Sequence, residues 1–160
     1  AQEASIFGKL SVKDNLKLVL QMRRNFSKIK QEKKLESLLD ELSITHLINN
    51  KGSTLSGGER RRVEIARTLS MDPDFILLDE PFAGVDPIAV EEIQDIVSSL
   101  KRKNIGVLIT DHNVRETLTI TDRSYLLYDG KILKTGKSDE LANDEQVKKL
   151  YLGENFKLFN

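Results

Sequence analysis

Apolar residues recur at three- and four-residue spacing through the first part of the chain, then gather into short continuous runs from Phe75 onward. The first spacing marks one buried face of a helix; the second marks buried strands. Ser11 with Asp14 three residues later makes a capping-box-like start for a helix through Leu16, Val19 and Leu20 to about Arg24. Leu35, Leu38, Leu39 and Leu42 stand at i, i+3, i+4 and i+7, with Lys33, Lys34, Glu36 and Glu41 on the other face, which predicts a second, amphipathic helix. After the polar break Asn49-Asn50-Lys51-Gly52-Ser53, the run Ser56-Gly57-Gly58-Glu59 opens a third helix, carried by Val63, Ala66 and Leu69 to Ser70.

The period then changes. Asp72-Pro73-Asp74 turns the chain into Phe75-Ile76-Leu77-Leu78, a run apolar on both faces, which predicts a strand within a covered sheet. Asp86 and Pro87 supply an N-cap and an N1 proline for a helix with apolar positions Val90, Ile93, Ile96, Val97 and Leu100, stopped at Lys103-Asn104. Gly106 to Thr110 is a second buried strand, so strand, helix and strand form a βαβ unit with parallel strands. Arg123 to Tyr128 and Lys131 to Thr135, joined by Asp129-Gly130, read as a hairpin, after which Ser138 caps a terminal helix leading to Tyr151. Repeats and low-complexity tracts are absent from the sequence.

A length of 160 residues suits one compact domain with a real core. With 25 basic against 25 acidic residues, the charge gives no reason to expect nucleic acid or a strongly acidic partner. The lack of cysteine excludes disulfides and Cys-ligated metal and suits a reducing compartment, with the cytoplasm as the default. Apolar runs such as Phe75 to Leu78 and Val107 to Ile109 are far shorter than the roughly 20 residues of a membrane span, so any membrane role is expected to come through a partner. Residues 1–7 lack the charged and apolar regions of a signal peptide.

The candidate chemistry falls at the carboxyl ends of the two parallel strands, where open α/β sheets bind their ligands. Asp79 and Glu80 end the first strand; Asp111 and His112 follow the second. Adjacent carboxylates in such a place suit nucleotide hydrolysis, Asp79 holding Mg²⁺ through water and Glu80 orienting or deprotonating the attacking water. His112 could donate to a γ-phosphate oxygen. On these residues alone the alternative stands that the acids cap the next turn and His112 is an ordinary loop histidine. Leu55-Ser56-Gly57-Gly58-Glu59 adds a helix N-terminus with two glycines, where phosphate can approach the backbone closely. The same letters also suit a plain loop before a capped helix. Arg60-Arg61-Arg62 reads as a solvated helix face.

Leu55 to Glu59, followed at the right interval by Phe75-Ile76-Leu77-Leu78-Asp79-Glu80-Pro81, resembles the signature and Walker B motifs of ATP-binding-cassette ATPases. Gly84-Val85-Asp86 resembles the D-loop of that family, Thr110-Asp111-His112 its switch-histidine loop, and Gln2 its Q-loop glutamine. Longer stretches, 55–67, 79–87 and 110–118, with the tail 151–156, resemble the lipopolysaccharide-export branch of the family. Branched-chain amino-acid importer ATPases are the nearest rivals, sharing the short cassette and Arg-rich signature helix; Phe82, Val85, Asn113 and the tail favour the export branch.

The resemblance implies an α/β, P-loop NTPase-type nucleotide-binding domain, of which this chain is the C-terminal part. Residues of about 3–55 would form a helical subdomain, about 56–137 the signature, Walker B, D-loop, switch histidine and hairpin, and about 138–160 the terminal helix and tail. It implies ATP and Mg²⁺ as ligands. Glu80 and His112 would be catalytic, Asp79 and Gln2 would face the metal, and Gln2, Ser56, Gly57, Gly58, Glu59 and Asp86 would line the nucleotide. It also implies a homodimer at the cytoplasmic face of the membrane, with transmembrane permease subunits seated near Phe7 and Leu10, two residues for which core packing is the competing reading.

One element of the family pattern is missing: no Gly-x-x-x-x-Gly-Lys-Ser/Thr occurs in the sequence. The start beside Gln2 suggests a piece of a longer protein, by truncation or as a genuine fragment. Alone, the chain is expected to bind ATP weakly, to hydrolyse it negligibly and to expose apolar sheet at Phe75 to Leu78, favouring self-association. A non-catalytic interaction module is the second functional class; it would not require Glu80 and His112 together. A coiled-coil chromosome-organising ATPase is set aside because the helices are short and broken.

Overall fold

A computed structural model describes residues 5–24, 26–153, 156 and 158. Gln2, expected at the nucleotide and metal, lies outside the described residues. The chain divides at Thr110 into two compact units, residues 1–110 and 111–160.

The first unit opens with α1 (Val12–Gln21), α2 (Lys28–Glu41) and α3 (Gly57–Leu69). Ser11 caps α1 as expected, its Oγ accepting from the Asp14 N–H at 3.0 Å. The helix stops short of Arg24. Arg23 instead folds its guanidinium onto the Ser70 carbonyl at 3.1 Å and the Asp72 carboxylate at 2.6 Å, beyond the far end of α3. Asn15, fully buried in α1, accepts from the Phe7 N–H at 2.8 Å and donates to the Phe7 and Ser11 carbonyls at 3.1 and 2.9 Å. That one side chain satisfies backbone groups of the preceding loop which burial would otherwise leave unpaired.

The predicted leucine stripe is buried: Leu35, Leu38, Leu39 and Leu42 join Val12, Leu16 and Leu20 of α1 and Val63, Ala66 and Leu69 of α3 in the core. β1 (Phe75–Asp79) leads to α4 (Pro87–Arg102), capped by Asp86 and buried through Ile93, Val97 and Leu100, and then to β2 (Gly106–Thr110). β1 and β2 pair in parallel, Phe75 opposite Gly106 and Asp79 opposite Thr110, as the βαβ reading requires. The covered sheet does not appear. Ile76 and Leu78 point into the core while Phe75 and Leu77 are 61% and 73% exposed. The described sheet has two strands, and no described element covers the face that carries these side chains.

The second unit begins with α5 (Val114–Ile120), an element the apolar pattern did not announce. β3 (Ser124–Tyr128) and β4 (Lys131–Gly136) form the antiparallel hairpin, with an irregularity between Leu126 and Leu127. Asp129 and Gly130 both take positive φ, 49° and 72°, the tight turn whose twist matches that of the strands. The terminal helix is broken. α6 (Ser138–Asn143) ends at Asp144, whose extended backbone (ψ 124°) and carboxylate cap α7 (Glu145–Val147), followed by a wide turn at Lys148–Leu152. Ser138 is not the cap but the first helical residue, and its hydroxyl donates to the carbonyls of Leu118 and Thr121. Leu118, Leu126, Leu141, Ala142, Val147 and Leu158 form this unit's own core.

Candidate functional site

Asp79 and Glu80 sit at the carboxyl end of β1, with Asp79 level with Thr110 on β2. The Thr110 hydroxyl donates to Asp79 Oδ1 at 2.5 Å, which fixes the carboxylate while leaving the residue exposed. Glu80 then leaves the strand in the left-handed region, at φ 46°. A residue with a Cβ occupies that region only when its surroundings hold it there. Its N–H donates to the Thr110 carbonyl at 2.7 Å, and its own carbonyl accepts from the Ala83 N–H at 3.2 Å and from Arg61 Nη2 at 3.2 Å.

The α3 N-terminus belongs to the same unit. Ser56 is its N-cap and Glu59 closes a capping box: the Glu59 N–H donates to Ser56 Oγ at 3.3 Å, and the Glu59 carboxylate accepts from the Ser56 N–H at 2.7 Å. That backbone hydrogen bond is the main reason the Glu59 carboxyl titrates below its ordinary range. Ser56 and Gly57 are exposed, whereas Gly58 is buried. A Cβ on Gly57 would stand 3.2 Å from the Gly84 carbonyl, so the helix start lies beside the Gly84-Val85 turn. A Cβ on Gly58 would stand 2.6 Å from the Ala89 Cβ, so the second glycine is also required by the packing of α3 on α4. The Asp86 side chain, expected at the nucleotide, is engaged locally and accepts from the Ala89 N–H at 3.0 Å.

The arginine run is not a solvated face. Arg61 and Arg62 side chains are only 16% and 11% exposed. Arg61 bridges Glu64 at 3.0 Å and the Glu80 carbonyl, Arg62 pairs with Glu92 of α4, and Arg60 reaches the Leu55 carbonyl at 3.4 Å. The run does not read as buried from sequence because two of its partners, Glu80 just after β1 and Glu92 of α4, are distant along the chain. The i, i+3 pair Arg61–Glu64 could be read from spacing; the bond to Glu80 could not.

Phe7 is 53% exposed under the Arg67 guanidinium, 5.1 Å from its ring centroid, and Leu10 is half-buried. Arg67 also donates to the Ser5 carbonyl, and the Ser5 N–H donates to Glu64 Oε1 at 2.9 Å. In the second unit, Asp111 is enclosed, its Oδ1 accepting from the Asn113 N–H at 2.8 Å, and His112 is exposed with Nδ1 3.8 Å from the same carboxylate.

Among the described residues no group of three or more His, Cys, Asp or Glu could hold a metal ion. A single ordered carboxylate at Asp79 fits Mg²⁺, which takes one or two protein carboxylates and completes its shell with waters and phosphates. The exposed start of α3 fits an anion in the same way. No described helix is long and apolar enough to cross a membrane.

Residues 1–83 match the ABC transporter family. The lipopolysaccharide export system ATP-binding protein LptB of Haemophilus influenzae is 55% identical over 98% of this chain and 65% of its own length. The chain therefore spans about 65% of the curated relatives that it matches in this way. Among solved structures, cbiO1 from Clostridium perfringens, part of the ABC transporter complex cbiONQ, is 27% identical with a TM-score of 0.79, over 94% of this chain and 60% of that one. The dimeric post-hydrolysis state of the ATP-binding cassette MJ0796, bound to ADP and Pi, is 26% identical with a TM-score of 0.74, over 86% and 61%. With the signature helix, the acids ending β1 and the parallel βαβ unit all in place, the chain belongs to the ABC transporter family of ATP-binding cassettes.

Proposed function

We propose that the protein carrying this chain is the ATP-hydrolysing subunit of an ABC transporter and powers lipopolysaccharide export. The observation that carries the hydrolytic reading is the pair at the end of β1: Asp79, with its carboxylate ordered by Thr110, and Glu80, clamped in a left-handed backbone. Glu80 orients or deprotonates the attacking water, and Asp79 would hold Mg²⁺. Bound Mg²⁺ supplies neutralisation of phosphate charge. His112 donates to a γ-phosphate oxygen; Gln2, outside the described residues, is assigned to the metal and nucleotide by the family resemblance alone. Ser56 with the amides of Gly57 and Gly58 offers the α3 N-terminus to the γ-phosphate held by a second copy of the subunit. A homodimer is supported by the likeness to dimeric MJ0796, and a permease partner by the likeness to cbiO1 of the cbiONQ complex.

The export reading rests on the 55% identity with LptB. The subunit would sit on the cytoplasmic face of the membrane, its permease contact including the exposed Phe7 and the half-buried Leu10. The isolated 160-residue segment lacks the phosphate-loop motif and hydrolyses ATP negligibly; a turnover of about 1 per second or more, within the ordinary enzyme range, would contradict that. The substrate is tested by reconstituting the intact ATPase with its permease in proteoliposomes. ATP-dependent extraction of lipopolysaccharide is expected; uptake of branched-chain amino acids without such extraction would refute the export reading.

A further inference from the structure

We infer that Arg61 is a positioning residue for hydrolysis, holding the main chain of Glu80 so that its carboxylate faces the attacking water. The inference rests on the reading of Glu80 given above and adds the group that keeps it in place. The Glu80 peptide lies in a region disfavoured for a residue with a Cβ, so its geometry must be imposed from outside. One clamp comes from the neighbouring strand, where the Thr110 carbonyl accepts the Glu80 N–H at 2.7 Å. The carbonyl accepts at 3.2 Å from the Ala83 N–H of its own turn and, also at 3.2 Å, from Arg61 Nη2, which is the tie to α3.

Arg61 is itself fixed. Its Nη1 donates to Glu64 Oε2 at 3.0 Å, and both side chains are largely withdrawn from water, 16% and 13% exposed. Glu64 is held in turn through its other oxygen, which accepts from the Ser5 N–H at 2.9 Å. A planar guanidinium shared between a carboxylate and a carbonyl orients both through its rigid fork, which a shorter-reaching point ammonium with freely rotating donors does less well. Ser56, which we assign to the γ-phosphate, caps the helix that carries Arg61, so the signature helix and the hydrolytic acid are linked through one side chain.

Loss of Arg61 leaves the Glu80 carbonyl with the Ala83 N–H of its own turn, so the turn loses this tie to α3 and the Glu80 carboxylate moves by a distance on the order of 1 Å, a misplacement that costs up to about 100-fold in rate. The test uses the intact ATPase with its permease, measuring kcat, KM and ATP affinity. Arg61→Ala is expected to lower kcat about 10- to 100-fold with ATP affinity changed less than about 3-fold. Arg61→Lys should recover part of the rate, and with Arg61→Gln it carries the test if the alanine variant does not fold. In a Glu80→Gln background, Arg61→Ala should lower the residual turnover no further, because residues acting as one unit are not additive. Wild-type kcat in the Arg61 variants overturns the proposal, as does an equal loss of ATP affinity, or a further full loss in the Glu80→Gln background. Wild-type turnover in Glu80→Gln alone overturns the reading of Glu80 itself, and the proposal with it.

Discussion

Gly58 of α3 faces Ala89 of α4 with no room for a methyl group between them: a Cβ at residue 58 would lie 2.6 Å from the Ala89 Cβ. Neither atom belongs to a flexible side-chain end, so the helices themselves would have to part. Gly58→Ala is therefore expected to destabilise the intact ATPase by about 1–3 kcal/mol, the usual cost of overpacking. Adding Ala89→Gly restores the space at a helix-propensity cost of about 1 kcal/mol, so the double variant should be more stable than the sum of the single changes. Urea denaturation of the four proteins checks this; strict additivity would contradict the packing account.

Asp72 gathers Arg23 at 2.6 Å and Lys34 at 2.5 Å, tying the end of α1 and the middle of α2 to the turn after α3. Partial burial pushes its carboxyl up, but the hydrogen bonds from Lys34 and Arg23 outweigh this and leave it below the ordinary aspartate value. A carboxyl depressed in the folded state contributes stability that is present above the unfolded pKa, about 3.9, and lost as pH falls through the lower folded value. Wild type should accordingly lose more stability than Asp72→Asn between about pH 5 and pH 2. Equal acid limbs in urea titrations of the two proteins would contradict it.

Gly130 at φ 72° follows Asp129 at φ 49° in the hairpin turn. Gly130→Ala places a Cβ in the left-handed region and should cost about 1 kcal/mol of stability, whereas Asp129→Asn, a residue that tolerates this region, should cost little. Hydrogen exchange of the β3 and β4 amides is the direct measurement; equal protection in the two variants would count against the turn assignment.

The features legible in the sequence are local. Ser11, Ser56 and Asp86 cap helices because their oxygens meet backbone N–H groups three residues on, a relation contained in the sequence itself. The parallel pairing of β1 with β2 followed from the helix between them. The seven residues of α5 after Asn113 give too little periodicity to announce a helix, and a capping aspartate such as Asp144 looks the same in sequence as one inside a continuing helix. In the candidate site, Asp79 and Glu80 were legible from their place at the end of an apolar run. Arg61 was not, since its meaning depends on a carbonyl nineteen positions away. Likewise the sequence offers Gly58 for an approaching phosphate, and its contact with Ala89 appears only once α3 and α4 are packed.

Turnover measured together with nucleotide retention separates Glu80 as the hydrolytic base from a residue that only shapes the end of β1. In the intact protein, Glu80→Gln should lower ATP turnover by at least about 100-fold, the lower end for loss of a general base, while ATP stays bound. Turnover near the wild-type rate in that variant would contradict the account.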